Sequence, residues 1–171
     1  MVHALLYAND MDIAAIIQTN SCFQRKGWSH EPWLKNIIDA YGKVLPNLRV
    51  HDPRYPSAEY LHQISLVGDE DPTHIPDIGK SYKCVFTGEP VHIDPSKWAD
   101  TPGSDRIVEL LLDDDPRPLI IQCWGGGNTA AKAFEKLKRM YPQFYDRAIS
   151  KAVLYCIWYQ DGPGSYIEKH H

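Results

Sequence analysis

Leu119-Ile120-Ile121-Gln122-Cys123-Trp124 runs directly into Gly125-Gly126-Gly127-Asn128-Thr129. Beyond it, Ala131, Phe134, Leu137 and Met140 recur at helical spacing while Lys132, Lys136, Lys138 and Arg139 fill the opposite side. This is a strand, a tight glycine turn and an amphipathic helix over Asn128 to Met140. The apolar run is continuous rather than alternating, which is the pattern of a parallel strand covered on both faces. Two further runs share it, Ile13 to Gln18 and Ala152 to Tyr159. We expect the three to lie side by side in one parallel sheet with their carboxyl ends together.

Helices fall between the runs. Pro32 to Val44 carries Trp33, Ile37, Ile38, Tyr41 and Val44 on one stripe, with Pro46 just past its end. Ser57 to Val67 repeats the pattern with Tyr60, Leu61, Ile64 and Val67, closed by Gly68. Ser104 to Leu112 is a third, ended by Asp113-Asp114-Asp115 and Pro116. Strands alternating with helices imply parallel crossovers and hence an α/β fold, a mainly parallel, Rossmann-like sheet flanked by helices. Residues 69–101, rich in Pro, Gly, Asp and His, show no period and read as an irregular loop or lid.

The 171 residues, 43% hydrophobic and 23% charged, are the composition of an ordinary globular domain, so we read residues 1–171 as one unit. A net charge of −4 provides no basic field for a nucleic acid polymer. No apolar run approaches the ~20 residues that span a bilayer, and no signal peptide opens the chain as written; we expect a soluble protein with no membrane partner. Val2 to Ala8 reads as the back half of a helix without a cap, and Gly162 to His171 as a helix just starting. The sequence therefore reads as an incomplete piece of a longer domain, with secretion of the full-length protein left open. Cys22, Cys84, Cys123 and Cys156 have no metal-ligand spacing and do not read as a disulfide framework; Cys123 and Cys156, inside apolar runs, read as buried thiols. None of His3, His51, His62, His74 and His92 has a partner at i, i+4 spacing.

In sheets of this kind ligands bind outside the carboxyl ends of the strands. The loops there are Thr19-Asn20-Ser21-Cys22, Gly125 to Thr129, and Gln160-Asp161-Gly162-Pro163-Gly164. Each delivers amide, hydroxyl or carboxylate groups, although each can equally be a turn or a cap. Three glycines let the backbone pass close to a ligand, with Asn128 expected at the helix N-cap. The spacing is neither a dinucleotide nor a P-loop fingerprint. Asp161 is the one carboxylate on this rim, as a hydroxyl- or water-orienting group or as a turn residue. Trp124, Trp158 and Tyr159 offer either a stacking face or core filling. Asp10, Asp12 and Asp113 to Asp115 read as solvated turns.

Taken together, TNSCFQRKGWS, IDAYGKVLPNL, YPS, DDDPRPLIIQCWGGGNT and YCIWYQDG resemble the nucleoside hydrolase-like domain of bacterial and fungal proteins, some of them labelled cellulose-binding. The resemblance covers nearly the whole chain. Nucleoside hydrolases cleave the N-glycosidic bond of ribonucleosides with a bound calcium ion, so the resemblance implies a ribose-lining role for Asn20 and a metal-ligating backbone carbonyl at Gly127. It also implies that the acidic motif carrying calcium and the water-activating base precedes Met1, and that another aspartate follows His171. One Asn and one carbonyl cannot meet calcium's demand for six to eight oxygens, so any Ca2+ would have its ligands mostly outside these residues.

The expected site is therefore Asp161 as the catalytic group, with Asn20, Trp124, Gly126, Asn128 and Gln160 binding substrate and Gly127 at a metal. The expected partner is a small nucleoside or carbohydrate. Two functions stand side by side: hydrolysis of N-glycosidic bonds of ribonucleosides or related glycosides, and carbohydrate binding without catalysis.

Overall fold

A computed structural model of the chain describes residues 2–76, 92–158 and 161–171. Helix α1 (Val2–Leu6) leads to β1 (Ile16–Gln18), then α2 (Trp33–His51), α3 (Ala58–Gln63) and β2 (Ser65–Val67). Helix α4 (Pro102–Leu112) leads to β3 (Leu119–Cys123), α5 (Asn128–Met140), α6 (Tyr145–Lys151), β4 (Ala152–Cys156) and α7 (Pro163–His170). The strands form two parallel two-stranded ladders, β1 with β2 and β3 with β4. Among the described residues, no helix is long and apolar enough to cross a membrane.

The expectation of three adjacent strands in one sheet is corrected. β3 and β4 are neighbours in register from Leu119↔Ala152 to Cys123↔Cys156, but Ile16–Gln18 pairs with Ser65–Val67. The reason lies in the crossovers. Each strand pairs with the next strand returned by its own helices, α2 and α3 for one ladder and α5 and α6 for the other. The strand at Ser65–Val67 had been hidden in an apparent helix running from Ser57 to Val67. That helix stops at Gln63, where Ile64 is its C-cap.

Other boundaries move too. The first and last apolar runs form shorter strands than expected, and Tyr159 lies outside the described residues. Helix α2 continues through Pro46 to His51. An interior proline costs about 3 kcal/mol, and the burial of Leu45 and the packing of Leu48 in the α2 cluster oppose that cost. β3 and β4 are not covered on both faces. Leu119, Ile121, Cys123, Leu154 and Cys156 face a helical core, while Ile120, Val153 and Tyr155 are exposed. Of the irregular segment 69–101, residues 77–91 lie outside the described residues; Pro95–Lys97 is a 3-10 turn and Trp98 is buried.

Two apolar clusters carry the fold. One gathers Leu5, Leu34, Ile38, Tyr41 and Leu61, with Ile16 packed against it. The other gathers Ile107, Leu111, Phe134, Leu137 and Ala148, with Ile17 packed against it. Successive residues of β1 thus face different clusters, as a period of two requires. The start of α4 lies close against both β1 and β2: a Cβ placed on Gly103 would lie 2.6 Å from Ile17 Cγ2 and 3.0 Å from Gly68 Cα. Glycine is what permits that approach.

Helix α4 starts at a capping box. Thr101 Oγ1 accepts the Ser104 N–H at 3.1 Å, and Ser104 Oγ accepts the Thr101 N–H at 2.9 Å. Ser104 is fully buried, so no water replaces these bonds. Thr101→Ala should cost about 1 kcal/mol, read as a lower urea midpoint at unchanged slope.

Candidate functional site

The carboxyl ends of the four described strands meet at one polar cluster. From the end of β1, Thr19 Oγ1 lies 2.7 Å from the Asp69 carbonyl and 2.8 Å from Asn128 Oδ1. Asn128 Nδ2 donates to Asn20 Oδ1 at 2.6 Å and to the Asp69 carbonyl at 3.2 Å. Asn20 Nδ2 donates in turn to the Arg25 carbonyl at 2.9 Å. From the end of β2, the Asp69 N–H donates to Thr129 Oγ1 at 2.8 Å, and the Asp69 carbonyl accepts the Asn20 N–H at 3.0 Å. Asn20, Asn128 and Asp161 are each 0% exposed. Burying so many polar groups is tolerable only because they satisfy one another.

Asp161 joins the loops after β1 and β4, since its Oδ1 accepts the Cys22 N–H at 2.7 Å. Its φ of 74° makes it the one non-glycine in the left-handed region among the described residues. Such a conformation costs about 1 kcal/mol or more and persists where its surroundings fix it. Gly126 sits at the centre: a Cβ there would lie 2.3 Å from the Asn20 carbonyl oxygen, 2.9 Å from Asp161 Oδ2 and 3.0 Å from Asn128 Oδ1. Three glycines after β3 were read as allowing close approach to a ligand. At Gly126 the close approach is to the protein's own loops.

The structure thus brings Asn20, Gly126, Asn128 and Asp161 together, as a packed floor rather than the lining of an open cleft. One detail differs from the sequence reading. Gly127, not Asn128, is the N-cap of α5, and Asn128, the first helical residue, spends its amide across the cluster. Trp124 fills no core; it is 66% exposed, its indole donating to Gln122 Oε1 at 3.0 Å. Gln160 lies outside the described residues. Phe23 stacks on Trp158 with ring centres 6.2 Å apart and planes 15° apart, linking the same two loops as Asp161.

Sequence reasoning missed Asp69 and His74. Asp69 Oδ2 lies 2.8 Å from His74 Nδ1, Asp71 Oδ2 lies 3.5 Å from His74 Nε2, and the imidazole stacks on Trp98 at 4.7 Å. Asp69 follows a strand end just as Asn20 does, but helical spacing through Leu61, Ile64 and Val67 masks that strand in the sequence. Arg25 fastens this segment by donating to the carbonyls of Pro72 and Pro76, each at 2.7 Å. Glu70 accepts the N–H groups of Trp28 and Ser29, each at 3.0 Å. The aspartates set aside as turns make ion pairs: Asp113 with Lys151 at 2.6 Å, Asp115 with Arg117 at 2.6 Å, Asp10 with Arg54 at 3.6 Å, and Asp12 with Arg117.

Among the described residues, the oxygens that the resemblance would assign to calcium are engaged within the protein. The Gly127 carbonyl accepts the Ala131 N–H at 2.9 Å as the first bond of α5. The Asn20 and Asn128 oxygens are taken by neighbouring donors. Among the described residues no group of three or more His, Cys, Asp or Glu could hold a metal ion. That falls far short of six to eight oxygens.

This architecture defines a nucleoside hydrolase-related fold. A solved structure of a nucleoside hydrolase-related hypothetical protein from Saccharophagus degradans, associated with carbohydrate metabolism, matches it with a TM-score of 0.78 and 31% sequence identity, over 98% of this chain and 36% of that one. The chain thus spans little more than a third of that protein's length. The model of the family described as cellulose-binding Sde182, nucleoside hydrolase-like domain, matches residues 1–171, and the chain belongs to this family. No curated protein matches it.

Proposed function

We propose that the carboxyl-edge cluster is the floor of a sugar-recognition site that takes a ribonucleoside or related glycoside. The observation that carries the reading is the meeting of the loops after the four described strands at Asn20, Asp69, Asn128 and Asp161. Hydroxyl-rich ligands are recognised by arrays of amides and carboxylates, with an aromatic face against the ring. Phe23 and Trp158 supply that face, beside the Asp161–Cys22 contact. The family description and the carbohydrate association of the Saccharophagus degradans protein support the same ligand class.

Hydrolysis of an N-glycosidic bond is the second reading. It is favoured by the strained, buried Asp161 and by the Asp69–His74 pair, a carboxylate-oriented imidazole of the kind used in proton transfer. Without a calcium shell from these residues, no step is assigned to a metal.

Asp161→Asn separates ligand recognition from folding. Asparagine tolerates the left-handed backbone and keeps an acceptor for the Cys22 N–H. Titration calorimetry with uridine, ribose and cellobiose should show weaker binding of whichever ligand the unaltered chain takes, because the negative charge beneath the site is removed, with the unfolding midpoint little changed. Unaltered affinity in the variant, or no binding of any of the three by the unaltered chain, would overturn the recognition reading. Release of reducing sugar from uridine by the unaltered chain would establish the hydrolytic one.

A further inference from the structure

Cys123 and Cys156 are the last register pair of the β3–β4 ladder, directly opposite each other on adjacent parallel strands. Neighbouring strands lie about 4.8 Å apart, within the Cα separation that a disulfide bridges. Both side chains turn to the same side of the ladder: Cys123 belongs to the cluster around Phe134 and Leu137, and Cys156 packs against it. The two thiols are free. Each stands just before a segment of the candidate site, Cys123 before Trp124 to Gly127 and Cys156 before Ile157 and Trp158, with Asp161 five positions on. Cys123 also lies under the first of these loops, its Sγ 3.9 Å from where a Cβ on Gly127 would sit.

We propose that Cys123 and Cys156 form a reversible dithiol–disulfide site, closed by a low-molecular-weight disulfide, that fastens together the two loops carrying Gly126 and Asp161. The two sulfurs are unequal, which sets the order of events. The adjacent Cys123 holds the Cys156 thiol below the usual thiol range, whereas that same pairing and burial push Cys123 up. Cys156 is also the less buried of the two. Cys156 thiolate therefore attacks one sulfur of the oxidant, whose S–S bond breaks and releases one thiolate. Cys123 then gives up its proton, its sulfur attacks Cys156 Sγ, and the second thiolate of the oxidant leaves. Two electrons pass from the protein to the oxidant, which ends as two thiols.

The test uses the whole chain and oxidised glutathione. After incubation, the protein is denatured, alkylated and weighed, and its peptides are mapped. Two of the four cysteines should become resistant to alkylation, with a single cross-linked peptide pair containing Cys123 and Cys156, and dithiothreitol should restore all four. Cys123→Ser should stop at the intermediate, with one glutathione held on Cys156; Cys156→Ser should form no cross-link. Four alkylatable thiols in the treated native chain, or a cross-link involving another cysteine, would overturn the proposal. The native peptide map decides the matter even if a serine variant fails to fold.

Discussion

Gly126→Ala should destabilise the protein by about 3 kcal/mol. The added methyl would sit 2.3 Å from the Asn20 carbonyl oxygen, well inside van der Waals contact, and within 3.0 Å of both Asp161 Oδ2 and Asn128 Oδ1. None of these can move aside cheaply. The Asn20 carbonyl is backbone, and the Asn128 and Asp161 side chains are fully buried and held by hydrogen bonds. The neighbouring glycines are internal controls. A methyl on Gly125 would meet Ser21 Cβ at 3.9 Å, an ordinary contact, and one on Gly127 would meet Pro163 Cβ at 3.3 Å. Urea unfolding should rank the alanine variants 125, 127, 126 in order of increasing loss, with Gly125→Ala within about 0.5 kcal/mol of the unaltered chain. Equal losses at 125 and 126 would contradict the packed cluster.

Acidification should remove up to about 3 kcal/mol of stability between pH 6.5 and pH 4. His171 packs its ring among Phe134, Tyr145 and Tyr166, with its side chain 1% exposed. Burial, helped by the charge of Lys138 and opposed by that of Glu135, pushes its imidazole from 6.5 down to about 4. The sign follows from proton binding. Between those values the unfolded chain holds a proton that the folded chain refuses, so this contribution is complete above pH 6.5 and is lost as pH falls toward 4. His171→Phe keeps an aromatic ring in the site and removes the titration. Its unfolding midpoint should vary less across that interval than that of the unaltered chain, measured by urea unfolding at a series of pH values. Parallel pH curves would show that the imidazole is not the group responsible.

What could be read from sequence depended on the length and contrast of each pattern. The strand before Gly125 and the helix after it were legible because a long apolar run meets a long charged-and-apolar stripe. Ser65–Val67 was not, because Leu61, Ile64 and Val67 keep helical spacing across the change from helix to strand. That one merged element concealed the pairing of β1 and the place of Asp69 at a strand end. The one-sided exposure of β3 and β4 was equally invisible, since the outward positions Ile120, Val153 and Tyr155 are as apolar or aromatic as the inward ones. Strand-end logic placed Asn20, Asn128 and Asp161 at one edge, where the structure brings them together. Sequence alone could not tell that their polar atoms satisfy each other, which depends on side chains more than a hundred positions apart.

The division into two ladders, each closed by its own helices, bears on how the chain acquires its structure. Contacts inside each half link residues near in sequence, and local contacts close early because short loops cost little entropy to form. Each half can therefore act as a cooperative folding unit. The cluster of Asn20, Asp69, Asn128 and Asp161 belongs to neither half alone: the Asn20 N–H meets the Asp69 carbonyl inside the first half, but the bonds of Asn128 to Asn20 and Asp69, of Asp69 to Thr129 and of Cys22 to Asp161 form only after the two have docked. Those bridging bonds are thus the last of the candidate site to form, and the first to be lost when the halves separate.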